Sequence, residues 1–473
     1  MKETLEREVK LSVGSDFTLP PLQSETTPRH LRAVYYDTAD QRLARHGVTM
    51  RRRLEDGRDL WQLKLPSGDD RLELEHEADG ADIPADFTRL LTAYTRGAEL
   101  QPLAELHTLR RALRITVGGK PSAEVVHDTV DVHDGDRVVR SFAEVEIEQI
   151  ADGAEHLIAR LERELRAAGA KRSDGRPKVF QALGLPARRR AKVKLRAPAV
   201  EQLRAYLQTQ VGSLLEHDPA TRRNDPAGVH GMRVATRRMR SALKEAKRLL
   251  DPGWVRETRT ELKWLADALG EVRDADVFAG YVERRVARLG AAAEAGGADL
   301  VALIHERSQP SRARLAAELD SPRYLAILDR LESIDTALPL APSRESMRRM
   351  LRRAARRGRR ALRGVSPSSS DQDLHSARLA AKRARYAGEL ALTSCGRKAE
   401  RLARRAETIQ TLLGDHQDSV VAEERLQSLA LDASPAAAFV AGRIAERERE
   451  RREAARAKLP QKAKRFFAAA LRV

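Results

Sequence analysis

The 473-residue chain has a single cysteine, Cys395. That count excludes an intramolecular disulfide and a cysteine-built zinc site. Phenylalanine, tyrosine and tryptophan together make up only 4% of the chain, too little for a protein that stacks bases along a single strand. No apolar run reaches the roughly 18 residues of a membrane-crossing helix. The opening stretch, residues 1–11, lacks the apolar core of a signal peptide. A soluble, cytoplasmic protein with no membrane partner is the expectation. Also missing are the GxxxxGK[ST] phosphate loop, the GxSxG nucleophile elbow and the HExxH zinc motif.

What the chain has in excess is positive charge. Lys and Arg number 87 against 69 acids, a net charge of +18. Such a balance favours an anionic partner: nucleic acid, a membrane surface or a phosphate polymer. Arg outnumbers Lys, and its planar fork matches phosphate oxygens. Charge alone would also suit nucleic acid, but the scarcity of aromatics and the lack of a nucleic-acid motif weigh against it. With 41% hydrophobic residues the chain folds, and its length suffices for more than one core.

Two patterns divide the chain. Residues 1–185 show short alternating segments at 5–13, 31–36, 49–54, 59–65, 71–76, 113–117, 123–127 and 141–150, separated by turn signals such as Glu55-Asp56-Gly57. A helix is expected over 155–168. Eight strands of this kind predict an antiparallel barrel or sandwich. Residues 186–198 form a basic connector. Beyond it, 199–473 carry helical spacing throughout and predict an all-α domain, so the fold class is α+β with two domains.

The helical part repeats itself. His230, Arg233 and Arg237 are echoed by His375, Arg378 and Lys382, and Arg240 by Arg385. Leu269-Gly270 followed by Asp274 is echoed by Leu413-Gly414 followed by Asp418. Both echoes lie about 145 residues apart, which predicts two pseudo-symmetric four-helix bundles over about 199–335 and 342–473.

Strand alternation sorts the charges of the first domain. Glu6, Glu8 and Lys10 share one face; so do Arg51 and Arg53, Gln62 and Lys64, Arg71, Glu73 and Glu75, and Glu144, Glu146 and Glu148. A solvated sheet face also alternates, but it has no reason to gather acids on the first and last strands and cations between them. A closed barrel with a charged interior does: carboxylates hold a divalent metal, and Arg and Lys hold phosphates.

The string Glu6-Arg7-Glu8-Val9-Lys10 resembles the ExExK signature of the CYTH superfamily, the triphosphate tunnel metalloenzymes. The ordered motifs around Arg51 and Arg53, Lys64, Arg71 to Glu75, and Glu144 to Glu148 strengthen the likeness. The resemblance implies an eight-stranded tunnel that binds triphosphate with Mg²⁺ or Mn²⁺; inorganic triphosphate, thiamine triphosphate, nucleoside triphosphate and cyclisation of ATP all stay open, and the attached helical domain favours hydrolysis of inorganic triphosphate. By position, Glu6, Glu8, Glu144 and Glu146 would face the metal, with Glu6, Glu8 and Lys10 catalytic. Arg51, Arg53, Lys64, Arg71, Lys178 and one of Arg110 or Arg111, assigned to Arg111, would bind phosphate. Asp128 falls where the family has an Asp-Asp-Gly turn that this chain lacks.

On a helix, His230, Arg233, Arg237, Arg240 and Lys244 form one stripe, and His375, Arg378, Lys382 and Arg385 a second. Like charges at that spacing repel, and an anion laid along them removes the penalty. Asp274 and Asp418 are expected to cap helices or orient arginines. These stripes resemble the CHAD domain, which implies inorganic polyphosphate as the ligand of all nine residues and an association with polyphosphate granules. A polyphosphate-binding protein without catalysis is the alternative reading.

Overall fold

The computed structural model describes residues 1–21, 28–68, 70–185, 193–194 and 197–472. The chain divides into two compact units, Met1–Arg190 and Ala191–Val473. Most of the basic connector at 186–198 lies outside the described residues.

The first unit is one antiparallel sheet. Its strands are β1 (Lys2–Glu6), β2 (Glu8–Val13), β3 (Arg29–Asp37), β4 (Thr49–Glu55), β5 (Arg58–Ser67), β6 (Asp70–Glu77), β7 (Gln101–Val117), β8 (Lys120–Asp134), β9 (Arg137–Gln149) and β10 (Lys171–Arg172). Four helices interrupt it: α1 (Arg42–Arg45), α2 (Ala85–Thr95), α3 (Glu155–Ala167) and α4 (Lys178–Ala182). The strand order is β1-β6-β5-β4-β3-β7-β8-β9-β2-β10.

Among the described residues ten strands stand where eight were expected, and their hydrogen bonding does not close the sheet. The difference has a local cause. The N-terminal strand breaks at Arg7, so Glu6 pairs with Arg71 of β6 while Glu8 pairs with Glu148 of β9. The Arg7 carbonyl accepts from the Gln149 amide at 2.9 Å, and its guanidinium reaches Asp152 at 3.1 Å. A single residue thereby ties two distant edges of the sheet together. The two-residue β10 supplies the other additional strand.

Turn chemistry sets the register of the β4–β5 hairpin. Asp56 (φ 49°) and Gly57 (φ 77°) both adopt positive φ, as a two-residue type I′ turn requires, and Glu55 faces Arg58 across it. Every second residue of β4 then points the same way, with Met50 fully buried on the opposite side from Arg51 and Arg53.

The apolar face of the sheet is its outer one. Leu11, Leu113, Val125, Val145 and Ile147 pack against Ile158, Leu161 and Leu165 of α3, whose spacing of three and four makes one helical stripe. A second cluster lies on the inward face, where Ala33 opposes Arg53 and Leu106, and joins Ala33, Leu106 and Val130 to Val179 and Phe180 of α4. Each such Leu, Val or Phe contributes about 1.5–3 kcal/mol on burial. With α3 covering the outer apolar face, the charged face is left to line the interior.

The second unit is helical: α5 (Ala199–Arg222), α6 (Pro226–Glu245), α7 (Pro252–Val286), α8 (Glu294–Leu319), α9 (Pro322–Glu332), α10 (Met347–Leu362), α11 (Asp371–Leu390), α12 (Leu392–Cys395), α13 (Arg397–Ala430) and α14 (Pro435–Ala470). Starts are encoded locally. Asp225, Asp251, Ser321 and Ser434 each accept a backbone amide bond as N-cap, and a proline follows each at the first helical position. One core cluster joins Val282 and Leu300 of α7 and α8 to Leu426 and Ile444 of α13 and α14, so the two sequence copies share interior. Among the described residues no helix is long and apolar enough to cross a membrane.

Candidate functional site

The inward face of the first unit encloses a cavity of about 230 Å³. Eight cationic side chains (Lys10, Arg29, Arg51, Arg53, Lys64, Arg71, Arg110 and Lys178) and seven glutamates line it. Strand alternation brings them in from β1 through β9, and α4 delivers Lys178. The near balance of charge leaves the lining alone well short of neutralising a triphosphate.

Each lysine is already held by carboxylates. Lys10 Nζ lies 2.5 Å from Glu146 and 3.2 Å from Glu8. Lys64 Nζ donates to Glu6 at 2.7 Å. Lys178 reaches Glu144 at 2.6 Å, Glu146 at 2.8 Å and Asp128 at 3.0 Å. Burial works against the Lys10 ammonium, but Glu146 and Glu8 outweigh it and raise its pKa. Burial likewise opposes the Glu146 carboxylate, yet Lys10, Lys178 and Arg110 hold it well below the usual range.

The arginines differ. Arg51 donates to Gln62 at 2.8 Å and to the Tyr35 hydroxyl at 2.9 Å. Arg110 makes a two-pronged bond to Asp128 at 2.9 and 2.7 Å. Arg53 is less well served. Burial and the neighbouring Arg51 push its pKa down to about 10, and its buried Nε has no hydrogen-bond partner among the described residues. A buried donor left unpaired costs about 1–3 kcal/mol, which an arriving oxyanion would recover.

The acid-rich wall is equally unsettled. Burial lifts Glu8, with Glu146 and Glu6 adding to the effect against Lys10. Burial takes Glu148 up to about 7; Arg110 opposes the shift while Glu146 and Glu6 reinforce it. All donors on this wall are carboxylate oxygens, the chemistry of a hard divalent cation. Among the described residues, however, no three metal-ligating side chains gather in a metal-binding arrangement. Lysine nitrogens sit among these carboxylates instead.

Several expected positions change. The alternation of β7 turns Arg110 into the cavity and leaves Arg111 exposed, so the inward arginine is Arg110. Glu144 faces Lys178 and Gln181 rather than the cavity, and Glu8 touches Lys10 without contributing to the lining. Glu6, Lys10, Arg51, Arg53, Lys64, Arg71, Glu146 and Lys178 do converge. Arg29, Glu55 and Glu124 join them unforeseen, and Glu148 joins from the charged face expected of it, though it was given no role there. Glu148 continues the two-residue period of Glu144 and Glu146, a signal that was there to use. Asp128 is completely buried and central to the network.

In the second unit, α6 carries His230, Arg233, Arg237, Arg240 and Lys244, and α11 carries His375, Arg378, Lys382 and Arg385. The two stripes meet. Arg237 and Arg385 lie 5.8 and 5.9 Å from the centre of the same Tyr386 ring, and Arg238 reaches Glu389 at 3.5 Å. Burial, Arg378 of its own helix and Arg237 and Arg233 of α6 push Lys382 down to about 8, against the pull of Asp418. Partial desolvation and Arg273, Arg237 and Arg233 lower the His230 imidazole as well. His375 Nδ1 lies 3.2 Å from the Gln417 side-chain oxygen.

The repeated Leu-Gly…Asp motif orients arginines and caps no helix. Asp274 holds Arg233 at 2.6 Å, and Asp418 lies 3.7 Å from Arg378. A Cβ at Gly270 or Gly414 would lie within 4 Å of the same guanidinium groups, so each arginine runs flat past a glycine. The Nε atoms of Arg237, Arg240 and Arg378 are buried without a hydrogen-bond partner among the described residues.

Comparison with known proteins places these features. The CYTH domain model matches residues 4–175 and the CHAD domain model residues 205–427. The uncharacterized protein Rv2226 of Mycobacterium tuberculosis (strain ATCC 25618 / H37Rv) is 32% identical over 92% of this chain and 91% of its own length. Among solved structures, PptA from Streptomyces chartreusis is 22% identical over 57% of this chain and all of its own, with a TM-score of 0.46. The CHAD domain from the plant Ricinus communis is 24% identical over 60% of this chain and 96% of its own, also with a TM-score of 0.46. The chain belongs to the family of proteins that join a CYTH domain to a CHAD domain.

Proposed function

We propose that the first domain hydrolyses inorganic triphosphate within its cavity and that the second binds inorganic polyphosphate along the paired stripes. The observation that carries this reading is the state of Arg53, partly buried beside Arg51, which pairs with Glu55 at 3.1 Å through Nη2 but keeps a buried, unpaired Nε in a cavity walled by cations and carboxylates. Arg51, Arg53, Arg110, Lys64 and Arg71 bind the non-bridging oxygens and accept the charge that shifts during the reaction. A water oxygen bonds to the terminal phosphorus, the P–O–P bond breaks, and diphosphate leaves. The water proton passes to a tunnel carboxylate.

Glu6, Glu8 and Glu146 would hold a divalent cation, Mg²⁺ or Mn²⁺, and Lys10 and Lys64 would have to release them. When bound, the cation offsets the charge of the phosphate oxygens. Phosphate release by the Glu6→Gln and Glu8→Gln variants tests the assignment. Both should be inactive and folded; turnover retained in both would overturn it.

A second reading, a tunnel that only receives triphosphate, draws on the lysine–carboxylate pairing that already occupies the acidic wall. Tight triphosphate binding without release of phosphate would select it. In the helical domain, polyphosphate and nucleic acid both bind with strong salt dependence. Direct competition between the two separates them, and polyphosphate should win.

A further inference from the structure

The C-terminal end of α7 and the middle of α14 form the walls of a groove of about 740 Å³. It is lined by Tyr281, Arg284, Arg285 and Arg288 on one side and by Arg447 and Arg451 on the other. None of these residues belongs to the tunnel or to the stripes of α6 and α11.

Two of the arginines are fixed in place. Glu448, fully buried, holds Arg285 at 2.7 Å and Arg451 at 3.2 Å. Asp415 takes a second edge of Arg451 at 2.9 Å, and the Arg285 guanidinium lies 5.1 Å from the centre of the Tyr281 ring. The other three arginines, Arg284, Arg288 and Arg447, form no ion pair within 4.0 Å among the described residues.

A helix C-terminus attracts cations, but its partial charge is only about half an elementary charge. Five arginines meet a single lining carboxylate, Glu450. Like charges a helical turn apart repel one another, and the acids that hold Arg285 and Arg451, buried Glu448 and half-exposed Asp415, leave the other three uncompensated. Groove size falls within the range of small-molecule pockets. Planar guanidinium forks held rigidly by a buried carboxylate are suited to phosphate oxygens.

We propose that this groove is a separate anion site that takes an oligophosphate group. Arg285 and Arg451 are the prepositioned donors, and Arg284, Arg288 and Arg447 close on the remaining oxygens. The group could be carried by a nucleoside triphosphate or be a short inorganic oligophosphate, since the same oxygens are recognised in both.

The test is calorimetric titration of the full chain with inorganic tripolyphosphate and, separately, with ATP, in EDTA so that nothing is turned over. Arg288→Ala/Arg447→Ala is compared with parent; both residues are exposed, and neither supports the buried Glu448. The double variant should lose one bound equivalent, or about tenfold in the affinity of one site, as expected for lost charge-assisted bonds. Arg288→Lys/Arg447→Lys should restore most of it. Amide exchange across residues 281–288 should slow with ligand in parent and not in the alanine variant. Loss with tripolyphosphate alone identifies an inorganic ligand, and loss with ATP a nucleotide. Unchanged stoichiometry, affinity and exchange with both probes would overturn the proposal. Phosphate release from triphosphate should be the same in parent and variant, which separates the groove from the tunnel.

Discussion

Asp128 offers a stringent test of the tunnel's construction. Its carboxylate is fully buried, accepts both prongs of Arg110 and lies 3.0 Å from Lys178. In Asp128→Asn the shape is kept and the charge removed. Breaking one side of a buried ion pair costs about 3–5 kcal/mol. Lys178 keeps Glu144 and Glu146, and Arg110 keeps a 3.4 Å contact to Glu146, so the lower end, about 3 kcal/mol, is expected. Burial raises the Asp128 pKa, but Lys178 and Arg110 outweigh it and bring it below its ordinary value. The group therefore stabilises the fold fully above the ordinary carboxyl range, near pH 4, and loses that contribution as pH falls through its lowered folded value. Trp61 is fully buried in this unit, and the other two tryptophans, Trp254 and Trp264, lie in α7. Urea unfolding followed by fluorescence in a Trp254→Phe/Trp264→Phe background thus reports the tunnel alone. The midpoint should fall by about 1 M at pH 7, with the gap to parent narrowing below about pH 4. A gap under about 1 kcal/mol at pH 7, or one that widens on acidification, would refute the reasoning.

Further predictions concern both domains. Arg53→Ala should weaken triphosphate binding at least about tenfold and, because it also removes the ion pairs to Glu55 at 3.1 Å and Glu75 at 3.7 Å, should not stabilise the tunnel; equilibrium titration and urea unfolding check the two halves. Lys382, pushed down to about 8 by burial, Arg378, Arg237 and Arg233, should make polyphosphate affinity fall as pH rises past that value. Lys382→Arg should flatten the pH profile between 7 and about 10, since Arg stays charged. Loss of any one stripe cation should reduce the slope of log affinity against log salt by roughly one. Gly228→Ala places a Cβ 2.5 Å from the Thr221 backbone nitrogen and 2.7 Å from the Ala220 carbonyl carbon, where backbone must move. Overpacking of this kind should cost about 1–3 kcal/mol, measured by unfolding of the helical domain.

Alternating charge made the tunnel's inner face legible. Residues 51, 53, 62, 64, 71, 73 and 75 keep a strict period of two, and the strands that carry them keep register through tight turns. Legibility fails where local pattern does not decide the outcome. The break at Arg7 is invisible because Glu6 and Glu8 look like neighbours on one strand; only pairing with two different partners separates them. Arg110 and Arg111 are adjacent, so choosing between them needs the phase of β7, a 17-residue strand of which the alternating pattern marked only residues 113–117. Asp128 lacked the expected turn around it, and its role arises from long-range contacts with Arg110 and Lys178. Helix α2 was overlooked, although Phe87, Leu90, Leu91 and Tyr94 have helical spacing and are buried. In the helical domain the repeats announced the stripes and the orienting aspartates. Their meeting across Tyr386 depends on packing between copies that periodicity does not encode.

The central claim is turnover in the tunnel. Phosphate release from inorganic triphosphate by the full chain, with and without Mg²⁺ or Mn²⁺, tests it most directly, with ATP, thiamine triphosphate and long-chain polyphosphate alongside and Glu6→Gln as control. The account predicts metal-dependent release, fastest from inorganic triphosphate, that the variant lacks. Absence of release from every substrate, with polyphosphate binding intact, would contradict it and leave the tunnel a receptor.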